Sequence, residues 1–201
     1  KGEIEKDFYG DITATGNNVG KIEIDDNINF AGIVSNKLAG FHFTGNHTLI
    51  SKGATFNKEL TTENDGEGKL HIEGNTEILA GIGENLKKFD EIKFLGDYTL
   101  LLSENDINVK NIITDKDSEG TVILKGTANN TNNNAVNFHG DIGSEDVRIG
   151  NITVQDGLSN VTFRNSINAK KITIGNSPVT FGDTIDLFKR EEVTVTPRPD
   201  R

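Results

Sequence analysis

Val161-Thr-Phe-Arg-Asn-Ser-Ile167 and Val179-Thr-Phe-Gly-Asp-Thr-Ile185 are one phrase written twice, eighteen positions apart. In each copy the valine and phenylalanine share one side of a strand and the threonine takes the other. A short polar turn follows, and the closing isoleucine points inward again. Eighteen residues are too few for a strand, a crossover helix and a second parallel strand. The phrase therefore reads as one coil of a stack, with each copy lying on its predecessor.

Longer echoes extend this reading. Leu38-x-x-Phe41-x-Phe43, Phe89-x-x-Ile92-x-Phe94 and Ile149-x-x-Ile152-x-Val154 follow one another at 51 and then 60 residues. Gly81-Ile82-Gly83 and Asp141-Ile142-Gly143 stand equally far upstream of the last two copies, and Ile107-Asn-Val-Lys-Asn-Ile112 matches Ile167-Asn-Ala-Lys-Lys-Ile172 at the same offset of 60. Asp65-Gly-Glu-Gly68 with Leu70 and Ile72 recurs as Asp117-Ser-Glu-Gly120 with Val122 and Leu124, 52 residues on. Divided into thirds, such modules give coils of roughly 17 to 20 residues, a size that suits a multi-sided solenoid.

Between the echoes every second residue is apolar, as in Ile22 and Ile24, Leu70 and Ile72, Leu100 and Leu102, or Ile172 and Ile174. Their neighbours are Glu, Asn, His, Lys or Thr, so the strands have one dry and one wet face. A β-sandwich would show the same alternation, with Asn-Gly or Asp-Gly hairpins at even spacing. Asp65-Gly66 and Asp156-Gly157 are present, but a sandwich does not account for identity at offsets of 52 and 60. The expected fold is all-β, a single-stranded parallel β-helix of about ten coils over residues 1–188. Residues 189–201, ending Pro197-Arg-Pro-Asp-Arg201, read as a C-terminal tail or linker.

Composition supports a thin core with many turns. Only 33% of the 201 residues are hydrophobic, there are 22 Gly and 24 Asn, and Met, Trp and Cys are missing. A net charge of −10 and the lack of a basic stripe argue against a nucleic-acid partner. Without Cys there is neither a disulfide nor a thiolate site, so stability must come from repetition. The chain opens at Lys1 with no initiator Met or apolar leader, as a trimmed or processed piece would. Lys1 to Gly10 is expected to cap the first coil or to be the cut edge of a longer rod. Glu84 to Glu91 reads as a helical turn or bulge in a corner, and the polar run Asn129 to Asn134 as a protruding loop.

Few residues offer chemistry. Alternation places His42, His71 and His139 on the outside and His47 in a turn, with no carboxylate at matching positions to make a catalytic or metal pair. Asp25-Asp26 is the best adjacent acid pair, and Asp115, Asp117 and Glu119 form the densest acid cluster. A glycosidase or lyase would need such groups clustered on one outer face. Both sets lie at turns, where Asp is expected because it bonds its own backbone. The nonapeptide calcium repeat is missing. No catalytic, cofactor or metal residue is assigned, and the chain is expected not to be an enzyme.

Gly68-x-Leu-x-Ile-x-Gly74, the two Val-Thr-Phe-x-x-x-Ile phrases and Ile82-Gly-x(5)-Phe-x-x-Ile-x-Phe94 resemble the passenger region of rickettsial surface cell antigens. These are the autotransporters that include outer membrane proteins A and B, and the resemblance covers roughly Ile22 to Ile185. It implies a right-handed β-helix carried across the outer membrane by a C-terminal translocator barrel. It further implies display on the bacterial surface or release after cleavage, and use as a monomeric adhesin against a host cell-surface protein. The alternatives are a spacer stalk without its own binding site and a carbohydrate-active β-helix enzyme.

Overall fold

The computed structural model describes residues 6–16, 20–103, 106–126 and 135–182, with the backbone of strands Ile185–Asp186 and Val193–Val195. Every pairing between strands is parallel, and each joins one pass of the chain to the next pass. The chain visits three faces in strict rotation. In one such coil, Glu67–Gly74 lies on face I, Thr76–Ile78 on face II and Ile82 on face III, before Phe89–Phe94 returns to face I. The protein is thus a three-sided parallel β-solenoid, as its alternation and repeats predict.

Each face is held by ladders of like residues. On face I the inner rung runs Ile28, Leu49, Leu70, Ile92, Ile112, Ile142, Ile167. Face II repeats Val34, Phe56, Ile78, Leu102, Leu124, Val154, Ile174. Face III stacks Phe41, Leu60, Ile82, Ile107, Phe138, Phe163, Phe181. A single strand pair of this kind buries one side only, and closing three faces around one axis buries these side chains, with Ile28 and Phe181 near the ends only partly covered. Phe30, Phe41 and Phe56, one from each face, meet near the first coils with ring centroids 5.5 to 6.1 Å apart. Such contacts add to plain area burial in a narrow core.

The phrase that decides the fold is a true stack: Val161, Thr162 and Phe163 pair with Val179, Thr180 and Phe181 in register. Its spacing is nevertheless the shortest in the solenoid. On face II, Ile12, Val34, Phe56 and Ile78 follow at 22 residues, and Leu124 to Val154 takes 30. There are accordingly about seven turns and not ten. At ~4.8 Å per rung the described stack is about 34 Å long. Ladder pairing also runs beyond residue 188, because Val193–Val195 aligns with Ile172, Thr173 and Ile174.

Of three expectations about irregular segments, two fall on described residues. Lys6–Tyr9 is the first strand of face I, paired to Ile28–Ala31, with Phe8 stacked on Phe30 at 5.7 Å. Glu84 to Lys87 is a tight reverse turn closed by two reciprocal backbone hydrogen bonds of 2.9 and 3.0 Å, not a helical turn. The Asn129 to Asn134 segment lies outside the described residues.

Candidate functional site

The corners between faces are where the acidic and amide residues collect, and most of them are occupied in binding coil to coil. The side-chain oxygen of Asp11 accepts the backbone N–H of Ile33, Asn27 that of Thr48, Asp65 that of Lys88, and Asn75 that of Thr99. Asp97, Asp117, Asp141 and Asp156 do the same for Gly120, Arg148, Ser166 and Asn176. In every case the donor is one coil further on. Sequence reading assigns Asp117 to its own turn; in the structure it, like the other seven, satisfies a backbone N–H of the next coil at or beside a corner.

The acid cluster is dispersed in the same way. Asp117 takes the Arg148 guanidinium on both oxygens, Nε to Oδ1 at 3.0 Å and Nη2 to Oδ2 at 2.9 Å. This fork, with the Arg148 backbone N–H, holds its carboxyl far below the usual carboxylate range. Asp115 pairs with Lys93 at 2.6 Å, and Glu119 with Lys116 at 3.6 Å. Asp26 pairs with Lys6 at 3.0 Å and is likewise lowered, first by that hydrogen bond.

Three histidines do have carboxylate partners. His42 Nε2 lies 3.0 Å from Glu63, His71 Nε2 3.1 Å from Glu91, and His139 Nε2 3.8 Å from Asp106. In register, however, His42 faces Thr61, Glu91 faces Lys69, and Asp106 faces Asn137. Each partner is thus the diagonal neighbour, two residues along the adjacent strand, which a search for matching positions passes over. The His71 pair lies on face I, the His42 and His139 pairs lie on face III several rungs apart, and the three do not converge. Burial, reinforced by nearby Arg164, pushes the His139 imidazole down and keeps it neutral near pH 7. His47 sits in the turn before Thr48–Lys52. Among the described residues no group of three His, Asp or Glu is arranged to hold a metal ion.

Among the described residues, a cleft of about 590 Å³ opens on the outside at the corner between faces III and I. Its charges cancel. Lys110 Nζ is 3.1 Å from Asp65 Oδ2, Lys88 Nζ donates to the His139 carbonyl at 2.8 Å, and Asp141 accepts the Ser166 N–H. Asp65 is held below its ordinary range, mainly by the Lys88 N–H and then by Lys110. A carboxylate kept ionised in this way cannot serve as a general acid near neutral pH.

No family model, curated protein or solved structure matches the chain. What fold and corners define is a class: a parallel β-solenoid whose ionisable side chains tie successive coils together.

These ties make stability depend on acid. Asp117, Glu91, Glu63 and Asp65 all have folded-state pKa values below their unfolded ones. Their stabilisation is complete above the unfolded carboxylate value, about 4, and is lost as pH falls through the lower folded values. The thermal midpoint should therefore fall steadily below pH 4. Asp117→Asn should flatten that fall while costing about 1 kcal/mol or less at pH 7, since the carboxylate is part-exposed. Melts of both proteins at pH 7 and pH 3 check this. Parallel acid curves for the two would remove Asp117 from the account.

Proposed function

We propose that the chain is a surface-displayed adhesive rod of the autotransporter-passenger kind, held at the bacterial surface by a C-terminal translocator barrel and contacting a host cell-surface protein. The observation that carries this reading is the ladder exterior. Successive coils are locked by corner Asp and Asn residues and by diagonal ion pairs, which makes a stiff surface with fixed side-chain spacing. Stiff solenoids present extended surfaces to macromolecules, and an acidic exterior keeps such a rod soluble. The resemblance of the Val-Thr-Phe and Gly-x-Leu-x-Ile-x-Gly phrases to rickettsial passengers supplies the biological setting.

The carbohydrate-enzyme alternative needs one carboxylic acid with a raised pKa facing a second carboxylate. Asp26, Glu63, Asp65, Glu91 and Asp117 are all shifted downward, which suits staples better than proton donors.

Binding of the purified chain to cultured host cells tests the proposal, with far-ultraviolet circular dichroism on the same sample. Saturable binding by a folded β protein is the expected result. A clean β spectrum without binding would leave a spacer stalk and overturn the adhesive part.

A further inference from the structure

We infer that the cleft between faces III and I is a binding site for a neutral oligosaccharide. The inference deepens the adhesive reading and gives its contact a chemistry. One wall is the reverse turn Glu84 to Lys87, which stands out from the corner and carries Leu86 at its tip, 85% exposed. The floor is face I at Lys110 and Asn111, and the far wall is the corner at His139 and Asn165.

Three side chains in this cleft are idle. The carboxamides of Asn85, Asn111 and Asn165 make no hydrogen bond among the described residues, whereas those of Asn27 and Asn75 at other corners accept a backbone N–H from the next coil. Asn111 stands in the outward ladder Lys69, Glu91, Asn111, Asp141, so strands on both sides fix its backbone. Each amide offers two donors and an acceptor with two lone pairs. A sugar hydroxyl both gives and takes a hydrogen bond, so three such groups around one depression match a polyol.

Charge narrows the class. Two lysines face two aspartates, Lys110 is already paired to Asp65, and His139 is neutral. An anionic ligand would meet Asp65 and Asp141, and a cationic one would meet Lys88 and Lys110. A wholly apolar ligand would find Leu86 and little else. The volume falls within the span of roughly 300–1,000 Å³ typical of small-ligand sites, but the lining is more polar than a drug-like pocket. A short, uncharged, hydroxyl-rich chain satisfies all of these conditions, with its C–H face against Leu86. With no aromatic platform in the cleft, affinity belongs in the millimolar range.

The test is a titration of the whole chain, followed by ¹⁵N correlation spectra that resolve side-chain amides. Maltotriose, cellotriose and triacetylchitotriose serve as neutral probes, and trigalacturonate as the anionic one, at up to about 10 mM. Saturable shifts at Asn85, Asn111 and Asn165 with at least one neutral trisaccharide are expected. Asn111→Ala and Asn165→Ala should each weaken binding about threefold to tenfold while leaving the circular dichroism spectrum unchanged. No shift with any neutral probe, shifts confined to residues outside the cleft, or a response to trigalacturonate alone would each overturn the inference. Host-cell binding that persists without a trisaccharide response would overturn the cleft site and leave the adhesive rod standing.

Discussion

Phe163→Asp should lower the thermal midpoint by about 10 °C or more and uncouple the last coils from the rest of the stack. Phe163 is buried between the rings of Phe138 and Phe181, with centroids 6.1 and 5.6 Å away. Losing a buried Phe costs about 3–5 kcal/mol. An unpaired carboxylate in the same position adds several more, because no cation shares that ladder. In a solenoid each coil contacts only its neighbours, so the damage should be local and the melt should become two-stepped. Protease digestion should then release the C-terminal part first. Phe181→Asp should cost less, since Phe181 is only half-buried. Thr162→Lys, one residue away, is the control. Thr162 faces outward between Asn137 and Thr180 and accepts a 2.9 Å hydrogen bond from Asn160 Nδ2. Its replacement should change stability by about 0.5 kcal/mol. If Phe163→Asp melted within two degrees of the parent, that ring would not be inside the stack in solution.

The same pair of phrases shows how much of the fold was legible. Strand alternation and the Val161 and Val179 stack gave the architecture directly, because a period of two and a recurring coil are both properties of sequence alone. Coil length was misjudged because that one legible stack is the tightest, and coils with longer corners carry no matching phrase. The long offsets mislead in an informative way. Leu38 to Phe43 leads into face III, Phe89 to Phe94 lies on face I, and Ile149 to Val154 on face II. Each echo has advanced by one face, so these residues never stack on one another. What recurs is a strand with its corner, and any of the three sides accepts it because all three present the same apolar ladder to the core. The candidate site was scarcely legible. His139, Asp65 and Asn111 come together only through stacking of nonadjacent coils, and the idle state of an Asn amide is visible only when its neighbours have been placed. The exposed Leu86 was the one available signal, an apolar residue amid a polar turn.

The corner glycines provide the second large effect, because they show why the echo at 60 residues exists. Gly143 has φ +69°, donates its N–H to the Ile112 carbonyl at 2.7 Å, and would place a Cβ 2.1 Å from the Asn168 carbonyl oxygen. Gly83 repeats the arrangement on the preceding corner: φ +64°, N–H to Leu60 at 2.8 Å, and a Cβ position 2.0 Å from the Asn108 oxygen. Ile82-Gly83 beneath Ile107-Asn108 and Ile142-Gly143 beneath Ile167-Asn168 are therefore one device used twice, a glycine wedged between the coil before and the coil after. Alanine there must both adopt a left-handed backbone, at about 1–2 kcal/mol, and push a backbone carbonyl out of a close-packed corner. Gly143→Ala and Gly83→Ala should each cost about 3 kcal/mol or more, the scale of other strained or overpacked sites. Gly157 separates the two contributions. It has φ +87° but nothing within 4 Å of the Cβ position, so Gly157→Ala should cost only the conformational part, about 1 kcal/mol. Urea denaturation of the three variants measures the difference. Equal losses at Gly143 and Gly157 would mean that backbone conformation alone selects these glycines and that the coils are not in contact at the corners. A markedly larger loss at Gly143 and Gly83 would show that corner contact sets how closely the coils stack.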